Sequence, residues 1–154
     1  MALVGEFGAE VTVQRLAEAS PEYVEAVARL LPQLSKAPIP SREHLEWVVS
    51  CETNDVLVAR GPDGTVVGTT TLVTFPLATG VRAWIHDVVV DEDWRGGGVG
   101  KALTEAALEH ARRRGAWTVD LTTRPWREEA NRLYEAMGFE RRDTNTYRSS
   151  LTGN

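Results

Sequence analysis

The residues that most directly imply chemistry are Arg95-Gly96-Gly97-Gly98-Val99-Gly100-Lys101. They follow an apolar run, residues 84–90 (Trp-Ile-His-Asp-Val-Val-Val), and a short turn at 91–94. An amphipathic helix comes next, with Val99, Leu103, Ala106, Ala107, His110 and Ala111 recurring at helical steps. It is predicted to stop where Arg112-Arg113-Arg114 meets Gly115, with positive charge in the last turn and a permissive residue just beyond. A strand feeding a glycine-rich turn at a helix N-terminus is a device for holding phosphate. The backbone can approach closely, and orphan N–H groups and the positive dipole end face the anion. A Walker loop fails on Arg95 in the first glycine slot and Ala102 in the hydroxyl slot. A dinucleotide fingerprint starting at Gly98 fails on Leu103 in the third glycine slot, although Asp120 lies where a ribose-binding acid would be expected.

The pattern Arg/Gln-x-x-Gly-x-Gly/Ala is satisfied by Arg95, Gly98 and Gly100. A second stretch, Asn131-Arg132-Leu133-Tyr134-Glu135-Ala136-Met137-Gly138-Phe139, follows downstream. Together, in this order, the two segments resemble the pyrophosphate loop and the Asn-x-x-x-Tyr…Gly-Phe segment of the GNAT superfamily, the acyl-CoA-dependent N-acyltransferases. The resemblance spans residues 10–150. It implies acetyl-CoA as cosubstrate, an amine acceptor on a small molecule or a peptide, and direct attack in a ternary complex. A homodimer is compatible with it, since dimers are common in that family. A non-catalytic acyl-CoA-binding or interaction module is the alternative from another class.

Acyl transfer from a thioester to an amine needs a positioned thioester, a polarised carbonyl, a neutral amine and a proton for the departing thiolate. Positioning falls to the N–H groups of the loop Gly96, Gly97, Gly98, Val99 and Gly100, with charge from Arg95 or Lys101. The competing reading of those two side chains is a solvated helix end. The resemblance puts the pantetheine arm beside the strand of residues 81–90, main chain to main chain, at Val88 and Val90, whose side chains are expected in the core. It also implies that Tyr134 protonates the thiolate and that Asn131, one helical turn earlier, contacts the cofactor. Their plain alternatives are a core tyrosine and a surface asparagine. His86 is the first candidate for the base, since imidazole takes up and releases protons near neutral pH. Asp87 is the rival, or a recognition group for a cationic substrate. In a regular strand the two face opposite ways, and a bulge would alter which one meets the pocket. Cys51 lacks a histidine motif for nucleophilic catalysis, and His44 and His110 lack metal-ligand spacing, so no metal is expected.

These residues need a scaffold. Residues 10–15 alternate as a strand. Ser20-Pro21-Glu22 starts a helix with Val24, Val27, Ala28 and Leu31 on one face until Pro32. Ser41 caps a second helix carrying Leu45, Val48 and Val49. Strands 55–60 and 65–75 flank the turn 61–64 as a hairpin. A turn at 76–80 leads into 81–90. After the central helix come a strand at 117–121, a helix at 128–137, and two short strands at 139–142 and 146–149. The expected order is β-α-α-β-β-β-α-β-α-β-β, a mixed α/β fold of GNAT type with a mostly antiparallel sheet of about seven strands and about four helices.

The 154 residues suit a single domain, 1–154, with residues 1–9 a loose end. Apolar content of 42% and charged content of 25% are ordinary for a globular protein. The single cysteine excludes an internal disulfide. No apolar run approaches the roughly twenty residues of a membrane span, and the first ten residues lack the pattern of a signal peptide. The expectation is a cytoplasmic protein with no membrane partner. A net charge of −5 argues against nucleic acid as a partner and suits a cationic small substrate.

Overall fold

The computed structural model describes residues 2–4 and 10–152. The chain forms two compact units, Met1–Thr122 and Thr123–Asn154. In the first, six strands make one sheet in the order β1 (Ala2–Val4), β2 (Glu10–Arg15), β3 (Asn54–Arg60), β4 (Val66–Leu77), β5 (Gly80–Val90) and β6 (Thr118–Asp120). All neighbours pair antiparallel except β5 and β6, which are parallel because the helix α3 (Val99–Arg113) carries the chain back. Two further helices, α1 (Pro21–Leu30) and α2 (Arg42–Ser50), lie between β2 and β3 in sequence.

The helix starts follow from local chemistry. Ser20 Oγ accepts the Tyr23 N–H at 3.3 Å and Ser41 Oγ accepts that of His44 at 3.1 Å. Pro32 offers no N–H to continue α1, and the chain tightens into a 3-10 turn at Leu31–Gln33. Each face of the sheet buries its own apolar set. On one side Val56, Val58, Val66 and Val89 cluster with Tyr23, Ala26, Val27 and Leu30 of α1 and with Leu45 and Val49 of α2. Leu57 and Ala59, alternating with that set, face the other side, where α3 packs. There α3 comes so close that a Cβ on Gly68 would stand 3.1 Å from Leu103 Cδ1 and 3.2 Å from Val99 Cγ1. Glycine at this point lets the N-terminus of α3 settle onto β4.

Among its described residues the second unit contains one helix, α4 (Glu128–Ala136), closed by Gly138. The strands expected at 139–142 and 146–149 are not formed; both stretches are irregular and, apart from the half-buried Phe139, exposed. Their sequence is mostly polar, and a strand gains stability only from a neighbouring ladder and a buried face. Ala2–Val4, read as part of a loose end, instead pairs with β2 as an edge strand; residues 1 and 5–9 lie outside the described residues. The sheet therefore has six strands among the described residues rather than seven. On α1 the buried face is Tyr23, Ala26, Val27 and Leu30, so Ala28 points outward and Val24 and Leu31 are only partly covered. Among the described residues no helix is long and apolar enough to cross a membrane.

Candidate active site

Strand β5 is the element from which the site is built. Its ladder with β4 runs in register up to His86 opposite Thr71, then resumes with Val89 opposite Thr69. Asp87 and Val88 together oppose the single residue Thr70, a β-bulge, and Asp87 adopts φ 53° in the left-handed region. Aspartate is among the few side chains that accept this conformation. The extra residue switches the strand's parity. Ile85 lies opposite Leu72 before the bulge, whereas Val89, of the same parity, joins the α1–α2 core after it. His86 and Asp87 both end up exposed. The His86 ring stacks on Trp84, with centroids 5.9 Å apart and planes 14° from parallel.

The other side of β5 opens at the same level. Its parallel pairing with β6 covers only Arg82, Ala83 and Trp84, and among the described residues of this unit no ladder partner continues beyond Trp84 on that side. A sheet edge of this kind can accept an extended main-chain-like ligand through N–H and C=O groups. Val88 and Val90 lie along this stretch, half-buried, while Val89 between them is in the core.

The glycine loop begins one turn beyond. A 3-10 turn, Glu92–Trp94, leads into Arg95, and Gly96 and Gly98 take φ of 78° and 86°. Glycine adopts this left-handed conformation without the steric cost that a Cβ would bring. Gly98 is the residue before α3, and no side chain caps that helix. Its first intrahelical bond is donated by Ala102 to the Gly98 carbonyl at 3.0 Å, so the N–H groups of Val99, Gly100 and Lys101 precede the ladder. The first turns of α1, α2 and α4 contain glutamates; that of α3 contains no acid. A diphosphate would supply the missing negative charge, so the loop fits the group expected there. Lys101 is exposed at this end, whereas the Arg95 guanidinium turns back and donates from Nε to the Val90 carbonyl at 3.2 Å.

In the second unit Tyr134 is buried and its ring meets Phe139 edge-on, with centroids 5.6 Å apart. Burial pushes its phenol above the usual value, only partly opposed by the Arg127 charge. Asn131 ties down the chain entering α4: its amide donates to the Arg124 carbonyl at 3.1 Å, and its Oδ1 is bonded to the Thr123 hydroxyl. The structure thus brings His86, Asp87, Val88, Val90 and the glycine loop onto β5 and its continuation, while Tyr134 and Asn131 belong to the other unit.

Two residues near the bulge have no signal in the sequence. Thr70, almost fully buried, donates to the His86 carbonyl at 2.9 Å. Tyr23 of α1 is buried; burial, moderated by a hydrogen bond with Thr69 and reinforced by the nearby Asp87 charge, pushes its phenol up to about 12. Helical periodicity marks Tyr23 only as a first-turn residue. The remaining candidates lie elsewhere: Cys51 Sγ contacts Thr53 Oγ1 at 3.2 Å, and His44 meets Trp47 edge-on with centroids 5.8 Å apart.

A mixed sheet carries a bulged strand that runs into a glycine-rich loop at the start of α3. The chain belongs to the acetyltransferase (GNAT) family, whose model matches residues 20–139. It is 35% identical over 117 residues to a glucosamine 6-phosphate N-acetyltransferase of Trypanosoma brucei brucei, covering 71% of this chain and 78% of that protein. An uncharacterized N-acetyltransferase of Methanocaldococcus jannaschii is 39% identical over 61 residues, 40% of this chain; the match spans only 27% of that longer relative. Among solved structures, an aminoglycoside acetyltransferase from an uncultured soil metagenomic sample has the same fold, with a TM-score of 0.78 at 23% identity over 91% of this chain and 96% of that one.

Proposed function

We propose that this chain is an N-acetyltransferase that moves the acetyl group of acetyl-CoA to a primary amine by direct attack in a ternary complex. The observation that carries the reading is the pair of left-handed glycines, Gly96 and Gly98, opening onto the uncapped start of α3 directly after the free edge of β5. In this reading the N–H groups around Gly98 hold the diphosphate, and β5 at Val88 and Val90 aligns the pantetheine arm. The thioester supplies the acyl group. As the amine nitrogen bonds to the carbonyl carbon and the C–S bond breaks, the amine's proton passes to His86, or to Asp87, directly or through water. Tyr134 returns a proton to the sulfur, a role favoured by a buried phenol that stays protonated.

The acceptor is a small-molecule amine. The named activity of the Trypanosoma relative supports this class, and the exposed Asp87 carboxylate suits a cationic amine. Release of free thiol from acetyl-CoA, measured beside glucosamine 6-phosphate, polyamines and short peptides with free amino termini, tests both parts. Thiol release matched by N-acetylated product is the expected result, and preference for the peptides would move the acceptor to that class. Tight CoA binding with no release across the panel would favour a non-catalytic acyl-CoA-binding module.

A further inference from the structure

Three consecutive glycines make a loop with much conformational entropy to lose, so a diphosphate site built from them has to be held from outside. The hydrogen bonds at its stem identify what holds it. Asp91, the last residue before the 3-10 turn, is well covered, at 13% side-chain exposure, and uses both carboxylate oxygens. Oδ1 accepts the Asp93 N–H at 3.3 Å, and Oδ2 accepts Nη1 of Arg29, from the last turn of α1. The other arm of the Arg29 fork, Nη2, donates to the Val66 carbonyl at 2.6 Å, at the start of β4. One turn on, Gln33 accepts the Glu92 N–H at 2.9 Å through Oε1 and donates from Nε2 to the Arg29 carbonyl at 3.4 Å. Both residues that open the turn into the loop are therefore gripped from α1 and its 3-10 extension.

We propose that Arg29 and Gln33 are positioning residues for coenzyme A. They form a strap from the end of α1 that fixes the stem of the glycine loop, so that its N–H groups converge before the ligand arrives. The inference rests on the reading of residues 95–101 as the diphosphate loop. Arginine suits this place because its planar fork reaches a carboxylate and a carbonyl at once, which a lysine ammonium on a flexible stem does not reproduce. With the Arg29 side chain 43% exposed, its ion pair with Asp91 adds little to global stability. Its contribution is to preorganise the loop, and that appears in ligand affinity.

Calorimetric titration with CoA tests this at a temperature where every variant is folded. R29A and Q33A should each weaken CoA binding, R29A by about tenfold, with binding stoichiometry unchanged. R29K should fall between R29A and the parent. A merely structural role would lower the melting temperature and leave the dissociation constant of the folded protein unaltered. That result, or parental affinity in both R29A and Q33A, overturns the strap. If R29A fails to fold, Q33A, which loses the bonds of one half-buried side chain, decides the matter. Failure of the unaltered protein to bind CoA would instead remove the reading on which the strap rests.

Discussion

Thr70 donates its hydroxyl proton to the carbonyl oxygen of His86 at 2.9 Å, and this bond spans the place where the β4–β5 ladder is interrupted. Asp87 and Val88 crowd against the one position Thr70 occupies, so the side chain supplies a bond at the point where the main-chain pairing loses its register. Thr70→Val keeps the volume and removes the donor. The part-buried carbonyl then lacks this partner, and the expected loss of stability is about 1 kcal/mol in urea unfolding. A change near zero would show that the bulge is held by the strand alone.

The competition between His86 and Asp87 can be settled by a pair of substitutions. Asn accepts the left-handed region as Asp does, so Asp87→Asn removes the charge without disturbing the φ of 53°. If His86 is the base, His86→Gln should lower kcat by about a hundredfold and remove the acidic limb of the rate–pH profile, while Asp87→Asn mainly raises KM for the amine. The opposite pattern assigns the base to Asp87.

Tyr134→Phe retains the ring that packs on Phe139 and removes the proton. Turnover should fall by about a hundredfold, with the CoA dissociation constant within about twofold of the parent. In the parent, the raised phenol stays protonated, so the basic limb of the profile should lie above the range of an ordinary tyrosine. A Phe variant at full rate removes the acid from the mechanism.

Neighbouring glycines of the loop should respond differently. Gly98→Ala forces a Cβ into φ 86°, at a cost of about 1–2 kcal/mol, and should also weaken CoA binding. A Cβ at Gly97 would meet only the Trp94 carbonyl oxygen, at 3.4 Å. Gly97→Ala should therefore leave unfolding within about 0.5 kcal/mol of the parent, and any loss of CoA affinity would report close approach of the ligand.

Asp55 gives the fold a specific sensitivity to acid. It is 2% exposed on β3, with Arg15 Nε of β2 at 2.5 Å and Arg114 Nε at 2.6 Å. Burial raises its pKa, but the hydrogen bonds and charges of Arg114 and Arg15 outweigh burial and leave it below the ordinary 3.8. A lowered folded value means that the pair's contribution is fully present above the unfolded pKa. It is lost as pH falls from there through the folded value. Asp55→Asn should lower stability by about 2–4 kcal/mol at pH 7 and flatten the decline of stability below pH 4. An unchanged acid slope would move that sensitivity to other carboxylates.

The sequence by itself determined whatever depends on neighbours along the chain. Ser20 and Ser41 as caps, Gly61-Pro62-Asp63-Gly64 as a turn and the start and stop of α3 all act within a few residues, and their structure matches their chemistry; the face of α3 was legible in Val99, Leu103, Ala107 and Ala111, whereas Ala106 and His110 are only partly covered and Ala102 and Thr104 are buried instead. The Arg95, Gly98 and Gly100 spacing was legible for the same reason. Tertiary structure decided the rest. Whether residues 139–149 become strands depends on a partner ladder, and whether Ala2–Val4 does depends on β2 lying alongside. The direction of His86 and Asp87 is set by a one-residue offset against Thr70, sixteen positions from His86 in the chain. Such an offset arises from the fit between two strands, and alternation within either one does not encode it.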